Sequence, residues 1–182
     1  MDKQQKINQL GLRFGLSIME RGAKMAKASA NIKVCILDNP MIKNFLNEQT
    51  GVPFNSISLA DEKYHITNLD KVKEIIEYDL IDTRKYVADS WDCENFALAF
   101  ASRAGYLYGL NSFGVAFGGI YDANTKQWKF NHGFNLIIIQ DNGVLHLYLY
   151  EPQNDKFILW QKGQNNVILP LGIYKLTWLF YY

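Results

Sequence analysis

Residues 132–152 read HGFNLIIIQDNGVLHLYLYEP, and the way this stretch folds back on itself decides the architecture of the chain. Two apolar runs flank Asp-Asn-Gly, a strong hairpin signal whose central pair is either Asn142-Gly143 or Asp141-Asn142. The first turn sets His132 opposite Gln153, the second opposite Glu151. In both registers His132, Phe134, Leu136 and Ile138 share one face with Leu145, Leu147, Leu149, Glu151 and Gln153, because side chains alternate along a strand. His146, Asn135, Tyr148 and Tyr150 take the other face. The first set reads as the core face, the one on which a helix packs.

Outward from the hairpin, FGVAFGGIY before it and FILW and YKLTWLFYY after it continue the period-two pattern between turn signals, so the second half of the chain is an antiparallel sheet. The first half reads differently. Cys93, Phe96, Ala97, Phe100, Ala101, Ala104 and Leu107 recur at helical spacing and Gly109 closes the run, which predicts a buried helix opening at Asp92. NLDKVKEIIEYDL places Val72, Ile75, Ile76 and Leu80 on one helical face behind Asn68 or Asp70 as cap. INQLGLRFGLSIMERGAKMAKA reads as an amphipathic helix. Between them, 31–64 is mixed: Pro40, Gly51 and Pro53 mark turns, and the apolar run IKVCIL carries Cys35 as a buried small hydrophobe.

Helices followed by strands predict an α+β domain in which N-terminal helices and a central buried helix pack on an antiparallel sheet. Residues 1–67 form a helical or irregular region packed on the core and 68–182 the main domain, in one compact unit. With 48% hydrophobic and 20% charged residues among 182, the chain has enough apolar material for such a core. Its formal net charge of +1 gives no reason to expect nucleic acid. Lys3, Lys6, Arg13, Arg21, Lys24, Lys27 and Lys33 face only Asp2 and Glu20 in the first 33 residues. The basic N-terminal helix is therefore a candidate for contact with a membrane surface or a partner protein. No apolar run reaches the roughly 18 residues of a membrane span, and Arg13 interrupts its run too early for a secretory signal. Two cysteines are too few for a disulfide framework or a zinc site.

Chemistry gathers on the predicted face. A thiol in the first turn of a helix gains from the helix dipole, and an imidazolium beside it favours the thiolate. A carboxylate on the far ring nitrogen then fixes the tautomer and stabilises the cation. Cys93, His132 and Glu151 supply nucleophile, base and orienter in that scheme, while Gln153 has amide donors for a developing oxyanion or for the imidazole.

The three blocks WDCENFALAF, HGFNLIII and YLYEPQND resemble the papain-like and transglutaminase-like cysteine hydrolases, above all the papain-like C-terminal domain of the mushroom agglutinins and its phage and bacterial relatives. Those proteins carry a W-D-C-[DE]-[DN]-[FY]-A block, a later H-x-[WF]-N block and a terminal E-P-Q. The resemblance spans residues 86–155 and implies a papain-like fold with Cys93, His132 and Glu151 as triad and Gln153 and Trp91 as oxyanion or supporting residues. No cofactor is required by such chemistry. Some agglutinin-type members use calcium held by acidic residues beside the cysteine, which makes Asp92 and Glu94 the candidate calcium ligands, although Glu94-Asn95 carries one carboxylate fewer than an Asp-Asp pair. The glutamine that precedes the nucleophile in papain has no counterpart, since Val87 and Ala88 occupy that neighbourhood.

The expected function is a cysteine-dependent amide hydrolase or acyl transferase acting on a peptide or other amide through a thioester. The alternatives are a cell-wall amidase or endopeptidase, and a structural or binding protein, of viral origin among other sources, that keeps the fold without turnover. Lacking a recognisable export signal, the chain is expected in the cytoplasm or with a virion rather than secreted.

Overall fold

The computed structural model describes residues 22–23, 32–162, 167–169 and 171–182. The amphipathic segment read over 7–28 lies outside them except for Gly22 and Ala23, which are helical. From residue 32 onward the described residues form helices α1 (Asn39–Thr50), α2 (Leu69–Tyr78) and α3 (Cys93–Tyr108) and strands β1 (Cys35–Asp38), β2 (Ile57–Leu59), β3 (Lys63–Ile66), β4 (Phe113–Tyr121), β5 (Trp128–Asp141), β6 (Val144–Glu151), β7 (Lys156–Leu159), β8 (Val167–Leu169) and β9 (Gly172–Tyr181). No helix among the described residues is long and apolar enough to cross a membrane.

The helices begin and end where local chemistry dictates. Asn68 caps α2 by accepting from the Lys71 N–H at 2.9 Å, which settles the choice between Asn68 and Asp70. Helix α3 starts one residue after Asp92, whose N–H donates to Asn95 Oδ1 at 3.3 Å, and ends at Gly109 in the left-handed conformation. Helix α1 falls in the segment read as mixed. Pro40 belongs to its first turn, where a missing N–H has no intrahelical partner to lose, so the residue read as a turn marker instead starts a helix. Cys35 is half-buried rather than buried, because β1 pairs only with β3 in a two-stranded ribbon outside the main sheet.

The main sheet has the order β2-β9-β4-β5-β6-β7, with β8 against β9. Strands β4 to β7 follow one another as antiparallel neighbours, but β9 returns to the other side of β4 and β2 joins β9 in parallel. The second half is thus antiparallel but not a plain meander, and its outermost strand comes from the first half of the chain. At the hairpin, Asp141 pairs with Val144. Asn142 and Gly143 both have positive φ, 50° and 81°, the mirror-image turn that matches strand twist and that glycine adopts without strain.

Both faces of the sheet are covered. Phe134, Leu136, Ile138, Leu147 and Leu149 pack with Ile42 and Leu46 of α1 and with Tyr64 and Ile66 of the ribbon. Ile137, Ile139 and Tyr150 pack with Phe96, Ala97, Phe100, Ala101 and Ala104 of α3 and with Val72 and Ile75 of α2. The cysteine-bearing helix therefore lies on the face opposite to the one expected. Alternation separates the two sets of side chains, but both sets are apolar, and nothing in the period assigns a particular helix to either.

Candidate active site

The register that forms is the one placing Asn142-Gly143 in the turn, yet His132 does not face Gln153. Pairing between β5 and β6 runs only from Asp141 and Val144 to Asn135 and Tyr150. Beyond it β6 turns away and pairs its last residue, Glu151, with Lys156 of β7. His132 Nε2 contacts both Glu151 oxygens, at 3.0 Å and 2.9 Å. The two residues are 6% and 3% exposed, so this is a buried ion pair, strong once formed and costly to halve. Gln153 lies half-buried in the turn after β6 and is not part of the cavity wall at His132.

A residue that the sequence pattern does not single out completes the pair. Tyr174 of β9 donates its hydroxyl to Glu151 Oε1 at 2.6 Å, and its ring meets those of His132 and Phe134 edge-on, at 5.8 Å and 5.2 Å between centroids. Burial, followed by the neighbouring Glu151 charge, pushes the Tyr174 hydroxyl well above the usual tyrosine range, so it remains a donor. Phe134 stacks on the imidazole at 5.8 Å. Burial in this aromatic box pushes the His132 imidazole down, but hydrogen bonding to Cys93 and Glu151 and the negative charge of both outweigh it and raise His132 to about 9.

Cys93 approaches from the other layer. It opens α3, and the first turn of that helix lies against Gly133: a Cβ there would stand 2.9 Å from Glu94 Cα and 3.1 Å from Glu94 N. Glycine is required by that close approach. One turn further along α3, the buried amide of Asn135 donates to Ala97 O at 2.9 Å and to Gly114 O of β4 at 3.0 Å, tying helix to sheet. Cys93, Glu94, Phe117, Gly118, Asn131, His132, Gly133 and Thr177 line one cavity of about 300 Å³. With Nε2 committed to Glu151, the ring nitrogen left for the thiol is Nδ1.

The acidic neighbours are unequal. Glu94 Oε2 accepts from the Cys93 thiol at 3.2 Å. Its carboxyl is held below the usual range, chiefly by its own backbone N–H, with burial opposing and the Cys93 thiol and Asp92 assisting. Asp92 is held above that range by desolvation and by a hydrogen bond with Glu94. Calcium requires several oxygen ligands. Among the described residues, no third acidic, histidine or cysteine side chain groups with Asp92 and Glu94 to hold a metal. Trp91 stands outside the cavity wall, beneath the Arg84 guanidinium at 3.6 Å and edge-on to Phe96 at 5.6 Å. It shapes the entry to α3.

The molecule is thus an α+β domain of mushroom lectin-like fold with a cysteine, a histidine and a glutamate gathered at one end of its sheet. The sequence matches no protein-family profile and no curated protein. Among the solved structures that share the fold are two of this kind. One is the complex of PSL1a with E64, with a TM-score of 0.54 and 15% identity over 80% of this chain and 51% of that one. The other is the Polyporus squamosus lectin bound to the human-type influenza-binding epitope Neu5Aca2-6Galb1-4GlcNAc, with a TM-score of 0.56 and 14% identity over 80% of this chain and 49% of that one. The match covers about half the length of those lectin chains.

Proposed function

We propose that this chain is a thiol-dependent amide hydrolase or acyl transferase of papain-like type, with Cys93 as nucleophile, His132 as general base and acid, and Glu151 as orienter. The observation that carries the reading is the buried Glu151 carboxylate on Nε2 of an imidazole that shares a cavity with a helix-leading thiol. A histidine raised to about 9 is protonated at neutral pH, which suits a thiolate–imidazolium pair. In the reaction the Cys93 sulfur attacks the carbonyl carbon of a peptide or other amide. His132 passes its proton to the leaving amine as the C–N bond breaks, and water or a second amine then attacks the thioester while His132 accepts its proton. The Cys93 N–H at the open end of α3 is a donor for the developing oxyanion.

A second reading has its own support. The thiol donates to Glu94, an arrangement that suits a resting thiol, and one fold neighbour is a lectin with a bound glycan. On this reading the chain is a ligand-binding module that keeps the fold without turnover.

Alkylation separates the two, with Cys35 as internal control because both thiols are half-buried. Limited treatment with iodoacetamide or an epoxysuccinyl peptide, followed by peptide mass mapping, should modify Cys93 far ahead of Cys35, and Cys93→Ala should abolish amide turnover. Equal, slow modification of both cysteines, with glycan binding retained in Cys93→Ala, would replace the hydrolase reading by the binding one.

A further inference from the structure

An aromatic row leads away from the cavity along β4 and β9. Phe117, Trp178, Phe180 and Tyr182 follow one another with ring centroids 5.3 Å, 5.8 Å and 5.4 Å apart. The first two contacts are stacked, at interplanar angles of 28° and 18°. Phe117 and Thr177 are walls of the cavity that holds Cys93 and His132. Trp178, next to Phe117, is 38% exposed. A large ring stacked on a cavity wall and left partly open to water is apolar surface that a ligand in the cavity can cover.

The row is held rigid, and its polar atoms are spent on the protein. Trp178 Nε1 donates to Ser58 Oγ at 3.1 Å, Thr177 Oγ1 donates to Phe117 O at 3.1 Å across a bulge in the β4–β9 pairing, and the Tyr182 hydroxyl donates to Leu98 O at 3.1 Å. A sugar would need such groups for its hydroxyls, because an unpaired polar group loses its water without compensation. A flat apolar side chain needs only the ring faces. Resting on the thiol-hydrolase reading of the cavity, we infer that Phe117 and Trp178 form the specificity subsite, taking an aromatic side chain of a peptide substrate next to the amide that Cys93 attacks.

Two alkylating reagents test this separately from the catalytic reading. Iodoacetamide reports the thiol alone, whereas an acetyl-phenylalanyl chloromethyl ketone, whose chloride is displaced by the Cys93 sulfur to leave a thioether, also reports the subsite. The rate of the phenylalanyl reagent relative to its glycyl counterpart should be at least about tenfold in the unmodified protein, fall close to one in Trp178→Ala and Trp178→Leu, and largely return in Trp178→Phe. The leucine variant keeps apolar bulk, so a collapse there is not a folding defect. A ratio near one in the unmodified protein, or one that survives in both variants, overturns the subsite. If Cys93 instead reacts no faster than Cys35 with iodoacetamide, the hydrolase reading fails. The row is then judged by binding of acetyl-phenylalanine amide to the Cys93→Ala protein, measured by equilibrium dialysis. Binding lost on adding Trp178→Leu supports the aromatic site, and binding that is absent or unaffected overturns it.

Discussion

Along β5, His132 and Phe134 look into a layer of aromatic rings built around one charge pair, whereas Gly133 and Asn135 look into a layer made by a helix. The two layers solve different problems. On the first, a buried cation is tolerated because a carboxylate, a tyrosine hydroxyl and three rings enclose it. On the second, the helix is brought to the backbone by a missing side chain and fixed by one amide. The thiol and the imidazole therefore belong to opposite faces of a single sheet, and they meet where β6 has left β5 and the strand no longer separates them.

The contrast can be broken most severely from the charged side. Glu151→Ala leaves an imidazolium in the aromatic box and should cost about 3–5 kcal/mol in urea unfolding near pH 6. The sign follows from His132, raised to about 9 against an ordinary value of 6.5. Its contribution to stability is fully present below about pH 6.5 and is lost as pH rises through about 9, so the Glu151→Ala deficit should shrink over that window. A deficit independent of pH would mean that the charge pair is not what the substitution removes.

On the helix side, Gly133→Ala should push the first turn of α3 away from β5 and slow Cys93 alkylation about 100-fold, the order expected when reacting groups are misplaced by about 1 Å. Urea unfolding should register a smaller loss, about 1–3 kcal/mol, as for other overpacked sites. Tyr174→Phe and Asn135→Ala sharpen the comparison. Each removes hydrogen bonds from a buried site and should cost about 1–3 kcal/mol, but only Tyr174→Phe, by altering the partner of Glu151, should move the pH at which His132 loses its proton, read by NMR of the imidazole. The smallest effect belongs to His146, which pairs with Ile139 on the α3 face well away from the cavity. His146→Ala should leave the alkylation profile unchanged.

What could be read from the residues beforehand was local. Gly109, Asn68 and the Asp-Asn-Gly turn carry their meaning in two to four positions, and helix α3, the hairpin and the nearness of His132 to Glu151 follow from them. Pro40 was ambiguous because a proline opens helices as readily as turns. The layer taken by α3 was not legible, since Phe134, Leu136 and Ile138 are as apolar as Ile137 and Ile139, and the helices that distinguish them are remote in sequence from β5. Gly133 and Asn135 have roles set by that helix, so they were hidden with it. Tyr174 was hidden for a related reason: its partner depends on β9 joining β4 beyond a shift in register, and period-two patterning does not reveal which strand will be a neighbour. Gln153 falls outside the site because the hairpin pairing ends at Asn135 and Tyr150, a point that the turn residues do not encode.

The parallel pairing of β2 with β9 joins Ile57 to Leu179, one of the widest sequence separations in the sheet. Closing so large a loop is slow relative to forming α3 or the β5–β6 hairpin. Tyr174, on the same β9, can reach Glu151 only once that strand has docked. On the proposed thiol-hydrolase function, helical signal should therefore appear during refolding well before Cys93 reaches its final alkylation rate, because the scaffold assembles early and the surroundings of His132 and Glu151 are completed last.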